Sequence, residues 1–322
     1  MAAAVLVHSV PSEGGVVPTT QWQPLIGAEG AVDVGGPLDD GRFVLAAGGR
    51  LFLLDPAAAR KEPLARGKRG YRTSAGEPYF ALAEDAGSGC RFRNDDLFAL
   101  EPRRDPAIVR ISAAGRRSRF TSLPDRFRLD GIAYDAVGSF GYRLLVLAVD
   151  DKRTSLIAID CRGGKETISK DGPRVEGGIE VAPQSFGRFA GALIAADEYS
   201  GRLFAFAPSG EVIKLANSGL PAGRDVGVEA VGFVPPGFGA SGLALLSDQG
   251  REEERVAGEG SVLSIDGAEL AAAGIAPGDL LVATEGGART IRVRCEVSCE
   301  VTEVAGGPAA AHAEGHIEFA EG

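Results

Sequence analysis

Four carboxylates open similar stretches of this chain. Asp130 leads Asp130-Gly131-Ile132-Ala133-Tyr134, and Glu176 leads Glu176-Gly177-Gly178-Ile179-Glu180. Glu229 leads Glu229-Ala230-Val231-Gly232-Phe233, and Glu314 leads Glu314-Gly315-His316-Ile317-Glu318. The first three recur at roughly fifty-residue intervals, close to the period of a four-stranded propeller blade. Residues at one position of a cyclic repeat form a ring on its axis, so these acids are expected to converge at one mouth of a central channel. Like charges at that density either raise one another's pKa or bind a cation. An oxygen-only donor set favours a hard ion, and Ca²⁺ is the expectation. The competing local explanation is that each acid only fixes a turn by accepting backbone N–H groups.

The elements that must position these acids share one pattern. A short β-type run passes through a Gly/Pro/Phe loop into a fully apolar strand, an acidic turn and a second apolar strand. One copy is Leu129–Tyr134, Ser139-Phe140-Gly141, Arg143–Asp150 and Ser155–Asp160. Partial copies extend both ways and give six units of roughly 54 residues, room for four short strands each. The fold class predicted is all-β: a six-bladed β-propeller forming one domain over 1–322. Its blades are expected at 33–66, 74–122, 128–170, 174–216, 227–266 and 274–305, with a closing strand at 313–320. Glu314–Ala320 mirrors an opening strand with no blade after it. The unit around Arg42–Asp55 looks like a blade lacking its opening strand, so pairing of the C-terminal strand with that N-terminal blade is predicted to close the ring. Continuous apolar runs such as Leu144–Val149 suit strands buried on both faces, whereas a β-sandwich would show alternation. The one helical turn expected is Gly267–Ala273, with Asp266 as N-cap and Gly274 as its stop.

Composition narrows the partners. Lys and Arg number 34 against 44 Asp and Glu, a net charge of −10, which argues against nucleic acid and anionic membrane surfaces. The apolar runs fall far short of the roughly 18 residues that a membrane span needs. A small-molecule substrate and a monomer are the expectation. The four cysteines are too few for a disulfide framework. Cys295 and Cys299 bracket Glu296-Val297-Ser298. They face each other if that tripeptide turns a hairpin, and are otherwise two small apolar residues. The start, Met1–Val7, has no basic segment and too short an apolar core for a signal peptide. An extracellular or periplasmic location is nonetheless the expectation.

The run Asp130-Gly131-Ile132-Ala133-Tyr134-Asp135-Ala136-Val137-Gly138 resembles the D-G-hydrophobic-x-x-D-x-x-G signature of six-bladed propellers in the gluconolactonase and regucalcin-like group. Asn94-Asp95-Asp96 resembles that group's Asn-Asp-Gly segment. The resemblance implies Asn94 as a calcium ligand, and Asp130 as ligand and proton carrier with Glu176 as its analogue in the ring. The second Asn and the early Glu of that group have no counterpart here.

The metal set expected is therefore Asn94, Asp130, Glu176, Glu229 and Glu314, with Asp130 and Glu176 as catalytic candidates. Another acidic set, Glu84, Asp150, Asp197, Asp248 and Glu285, follows apolar strands and reads as turn-forming. Of three histidines, His8 and His312 fall in weakly patterned stretches, and His316 shares a strand face with Glu314. The basic runs 66–70 and 116–119 read as solvated loops. Three functions follow, a lyase or cyclase on the same scaffold being the third. One is a Ca²⁺-dependent hydrolase of a lactone or ester with its site in the channel. The alternative is a non-catalytic propeller binding a protein or glycan, with any metal structural.

Overall fold

A computed structural model describes residues 20–64, 71–73, 78–87, 89–101, 105–112, 115–151, 153–250 and 260–322. His8 and the basic run 66–70 lie outside the described residues. Four sheets are four-stranded antiparallel meanders in simple chain order. Their first strands are Ala31–Gly35, Phe80–Ala83, Arg128–Tyr134 and Glu176–Val181. The runs read as doubly buried are so. Leu144–Asp150 is covered on both faces until its last residue, because it lies second in its sheet with a neighbouring sheet packed on each side.

A nine-stranded sheet completes the structure. It parts at the single parallel bridge between Val231 and His316. One half is led by Val228–Phe233, followed by Leu280–Thr284, Thr290–Cys295 and Cys299–Gly306, with Thr20–Gln21 added parallel at the outer edge. The other is led by Ala313–Ala320, followed by Leu243–Asp248, Ser261–Asp266 and Gln23–Gly27. Six apolar clusters fill the spaces between successive sheets. The last pairs Leu245 and Val262 with Val34 and Leu45, so the final sheet packs on the first and the ring closes. The chain is a β-propeller.

Three expectations need correction. The unit 227–266 is not one blade. Val228–Phe233 pairs with Leu280–Thr284, while Leu243–Asp248 and Ser261–Asp266 cross into the neighbouring sheet. The helix Gly267–Ala272 carries the chain back, and Gly274 takes a left-handed φ of 81° beyond its end. Strand–turn–strand patterns are local, so they look alike whether both strands stay in one sheet or not. Second, the sheet around Arg42–Asp55 has its own inner strand, Ala31–Gly35. The C-terminal strand instead shares a sheet with Gln23–Gly27, at its opposite edge. Third, Tyr79–Glu84, which the repeat pattern aligns with the fully apolar second strand of the other units, contains the inner strand Phe80–Ala83.

Both cysteine pairs are disulfides, Cys90–Cys161 and Cys295–Cys299, and the second closes the expected hairpin. At the axis the inner strands approach closely through glycine. A Cβ on Gly178 would collide with the carbonyl of Gly315, and Gly315 holds a φ of 72°. Gly178→Ala should therefore lower stability by about 1–3 kcal/mol. Gly27→Ala meets nothing within 4 Å and is the control. Urea unfolding of the two variants measures the difference.

Candidate functional site

The inner strands all start at the same mouth of the channel, and the acids at their starts meet there. Arg128 joins two of them: its guanidinium lies 2.7 Å from Asp130 Oδ2 and donates to Glu176 Oε1 and Oε2 at 3.0 and 3.1 Å. Arg174 also donates to Glu176 Oε2 at 3.1 Å and lies 3.9 Å from Glu198. Across the mouth, the Tyr79 hydroxyl bridges the other two, 2.7 Å from Glu229 Oε1 and 2.6 Å from Glu314 Oε2. His312 Nε2 sits 2.7 Å from Glu285 Oε1 and 3.1 Å from Glu314 Oε1. The ring thus has an arginine-neutralised side, Asp130 and Glu176, and a side held by a phenol and an imidazole.

That second side is buried. Glu229, Glu285 and Glu314 expose 3%, 5% and 1% of their surface. A phenol has one proton, so Tyr79 donates to only one of its two carboxyl partners. The other contact needs a proton from the carboxyl itself. The Glu229–Glu314 pair therefore shares a proton. Burial, then repulsion from Glu314 and Glu285, push the pKa of Glu229 well above the carboxylate range, against the bond from Tyr79. Glu198 is pushed up to about 7, by burial first and then by Glu176 and Glu285.

Two triplets could hold a cation: Glu285–His312–Glu314 and Glu198–Glu229–Glu285, in each of which one donor atom per residue lies within 4.8 Å of the others. Glu285 Oε2 is buried with no hydrogen-bond partner among the described residues. An unpaired buried carboxylate oxygen is costly, and a cation is the partner its chemistry suits. The cavity above measures about 310 Å³ and is lined by polar and charged side chains, with Arg224 and Tyr199 on its rim. Arg174 stacks on Tyr199 at 4.4 Å.

Asp130, Glu176, Glu229 and Glu314 therefore come together, but Asn94 does not. Phe80–Ala83 runs the length of the channel from Tyr79 and delivers Asn94 to a loop at the other end. There its Oδ1 accepts the Asp85 N–H at 2.7 Å. Asp135, the second acid of the D-G signature, fixes a turn by accepting N–H groups of Gly138, Phe140 and Tyr142. His316 does not line this mouth either. The left-handed Gly315 breaks strand alternation, and His316 bonds Asp33 at 2.9 Å and the Ile179 carbonyl at 3.2 Å.

Four residues of the site lie outside the sequence expectation. Tyr79 occupies the strand-opening position that the acids hold elsewhere, a signal that the repeat contains. Glu285 belongs to the set read as turn-forming. Asp197 and Asp248 do fix turns, accepting from Tyr199 and Ser200 and from Gly250 and His312. Glu285 instead turns inward. Glu198 sits in the adjoining turn. His312 follows three alanines with no periodicity, and only its bridge with Gly286 brings it beside Glu285.

No family model matches the chain, and no curated protein matches it. Among solved structures, a virginiamycin B lyase from Staphylococcus aureus is similar at 12% identity and a TM-score of 0.47, over 85% of this chain and 69% of that one. A calcium-binding protein, regucalcin, from Agrobacterium tumefaciens shares 15% identity with a TM-score of 0.38, over 73% and 74%. A candidate gluconolactonase shares 17% with a TM-score of 0.42, over 71% of each chain. At such identities and TM-scores these likenesses assign no activity or ligand to this chain.

Proposed function

We propose that the protein is a divalent-cation-dependent hydrolase of a lactone or ester, working at the acidic mouth of a six-bladed channel. The blade count takes the nine-stranded sheet as two blades. The observation that carries the reading is the unpartnered, buried Glu285 Oε2 inside two cation-competent triplets. Glu285, His312 and Glu314 would hold the ion. The mixed imidazole and carboxylate donors of that triplet admit Mn²⁺ or Zn²⁺ beside the Ca²⁺ expected from oxygen ligands alone. When bound, such an ion polarises a carbonyl oxygen and makes a water more acidic.

The chain's own groups supply the rest. Glu198, with a pKa of about 7, is balanced between its two forms at neutral pH and suits the base that accepts the proton of the attacking water. Glu229, raised well above the carboxylate range by burial and by Glu314 and Glu285, suits the acid that delivers a proton to the leaving oxygen. Tyr79 orients it. The proton-carrying role thereby moves away from Asp130 and Glu176, whose charges are fixed by Arg128 and Arg174. These arginines keep the two acids from competing for the ion. The polar lining suits a small hydrophilic substrate. The two disulfides support an oxidising compartment, extracellular or periplasmic.

Titration of chelator-treated protein with Ca²⁺, Mn²⁺ and Zn²⁺ should raise its Tm for at least one ion. Glu285→Gln should abolish that rise while leaving the ion-free Tm within a few degrees. Stabilisation without turnover on a panel of lactones and esters would select the non-catalytic alternative. Where turnover is found, Glu229→Gln should lower kcat by about 10²–10⁴-fold. Asp130→Asn should leave kcat nearly unchanged.

Stability should also track pH. Glu198 and Glu229 have folded pKa values above the ordinary 4.5, so between about pH 4.5 and 7 the folded state binds more protons than the unfolded one. Ion-free protein should therefore lose stability as pH rises through that window. A saturating cation should flatten the slope by replacing the protons. Thermal melts from pH 5 to 7.5, with and without ion, measure both.

A further inference from the structure

The opposite mouth of the channel has a different chemistry, and the glycine-packed centre separates it from the acidic ring. A cavity of about 190 Å³ there is lined by Glu84, Asp95, Glu180 and Glu318, with walls that include Phe80 and Tyr134. Among the described residues no Lys or Arg lines it. Its one basic residue, His316, is already paired with Asp33 at 2.9 Å. Next to it, sharing Leu82 and Asp95, a second cavity of about 280 Å³ is walled by aliphatic side chains, among them Leu38, Val44, Leu53 and Leu64. The only basic residue of that slot, Arg42, is held by Asp40 at 2.6 Å and Glu62 at 3.1 Å.

We propose that this mouth binds a small organic amine, its ammonium among the carboxyls of the channel end and its hydrocarbon or aromatic tail in the aliphatic slot. Charge complementarity selects the class. Carboxyls without a free basic neighbour attract a cation, and the contiguous apolar slot demands that the cation carry a tail. A bare metal ion would leave the slot empty. A carboxylate or phosphate ligand would meet four carboxyls, and the one imidazole in the lining is already committed to Asp33. The Phe80 and Tyr134 rings can face the ammonium as well.

The state of the acids fits this reading. Burial pushes Glu180 up to about 7, although the Phe233 N–H bonds its Oε2 at 2.6 Å and His316 opposes the shift. Burial also raises Glu318 well above its usual range, against His316, with Glu180 and Asp33 adding to the rise. His316 itself is raised to about 9: burial opposes its charge and Asp33 outweighs burial. An arriving ammonium would replace protons on Glu180 and Glu318, so binding should release protons to the buffer. The proposal does not depend on hydrolysis at the other mouth.

Isothermal titration with phenethylammonium chloride at pH 7, in two buffers of different ionisation enthalpy, tests it. Phenethylammonium is expected to bind with proton release, hexanoate not at all, and methylammonium at least about tenfold more weakly for want of a tail. Glu318→Gln should weaken binding about tenfold or more, and Glu285→Gln at the other mouth should not change it. Should Glu318→Gln fail to fold, Asp95→Asn carries the same test, because an amide fits the left-handed φ of 58° at that position. Hexanoate binding as well as phenethylammonium, no ammonium binding at all, or an unchanged affinity in the carboxyl variant would each overturn the assignment.

Discussion

Close approach of backbones at the axis is the constraint on which the molecule rests. Glu176–Val181, Val228–Phe233 and Ala313–Ala320 crowd together because Gly178, Gly232 and Gly315 bring no side chains to the contact. Without that approach Val231 and His316 could not form the parallel bridge between their neighbouring sheets. The same crowding fills the centre between the two mouths with backbone. It turns one pore into two separate cavities, each with its own charge balance.

The mouth that gathers the strand-opening acids shows how burial and counter-charge sort similar groups. Asp130 and Glu176 lie beside arginines that balance their charge. Glu229 and Glu314 lie beside a phenol and an imidazole, so one proton must be shared among more acceptors than it can serve. Position in the repeat brings the four together. What each can do is set by neighbours from other parts of the chain: Arg128 two residues before Asp130, Tyr79 on another sheet, His312 in an irregular stretch.

That division also marks how far sequence reasoning reaches. The acidic ring was legible because its members recur at a fixed place in a repeat, and a cyclic fold converts recurrence into proximity. Tyr79 was hidden by its type, since a search for carboxylates passes over a phenol at the same place. His312 had no pattern to betray it; a bridge from Gly286 positions it. Asn94 misled because a three-residue motif says nothing about which end of a strand it follows. The exchange of strands between the last two sheets was invisible for a related reason. Leu243–Asp248 and Ser261–Asp266 form a proper hairpin, and hairpins do not state which inner strand they will join.

The exchange has a consequence for how the chain must assemble. One sheet draws on residues near 25, on 243–266 and on 313–320, so it has no complete local precursor. The sheets from 80 to 217 can form as they emerge from the ribosome, each from contiguous residues. The ring stays an open crescent until residue 320 is delivered, and the early strand at 23–27 must wait unpartnered for a hairpin made more than two hundred residues later. The late-arriving C-terminal strand is thus a latch: it shuts the circle and brings Glu314 to the mouth in a single step.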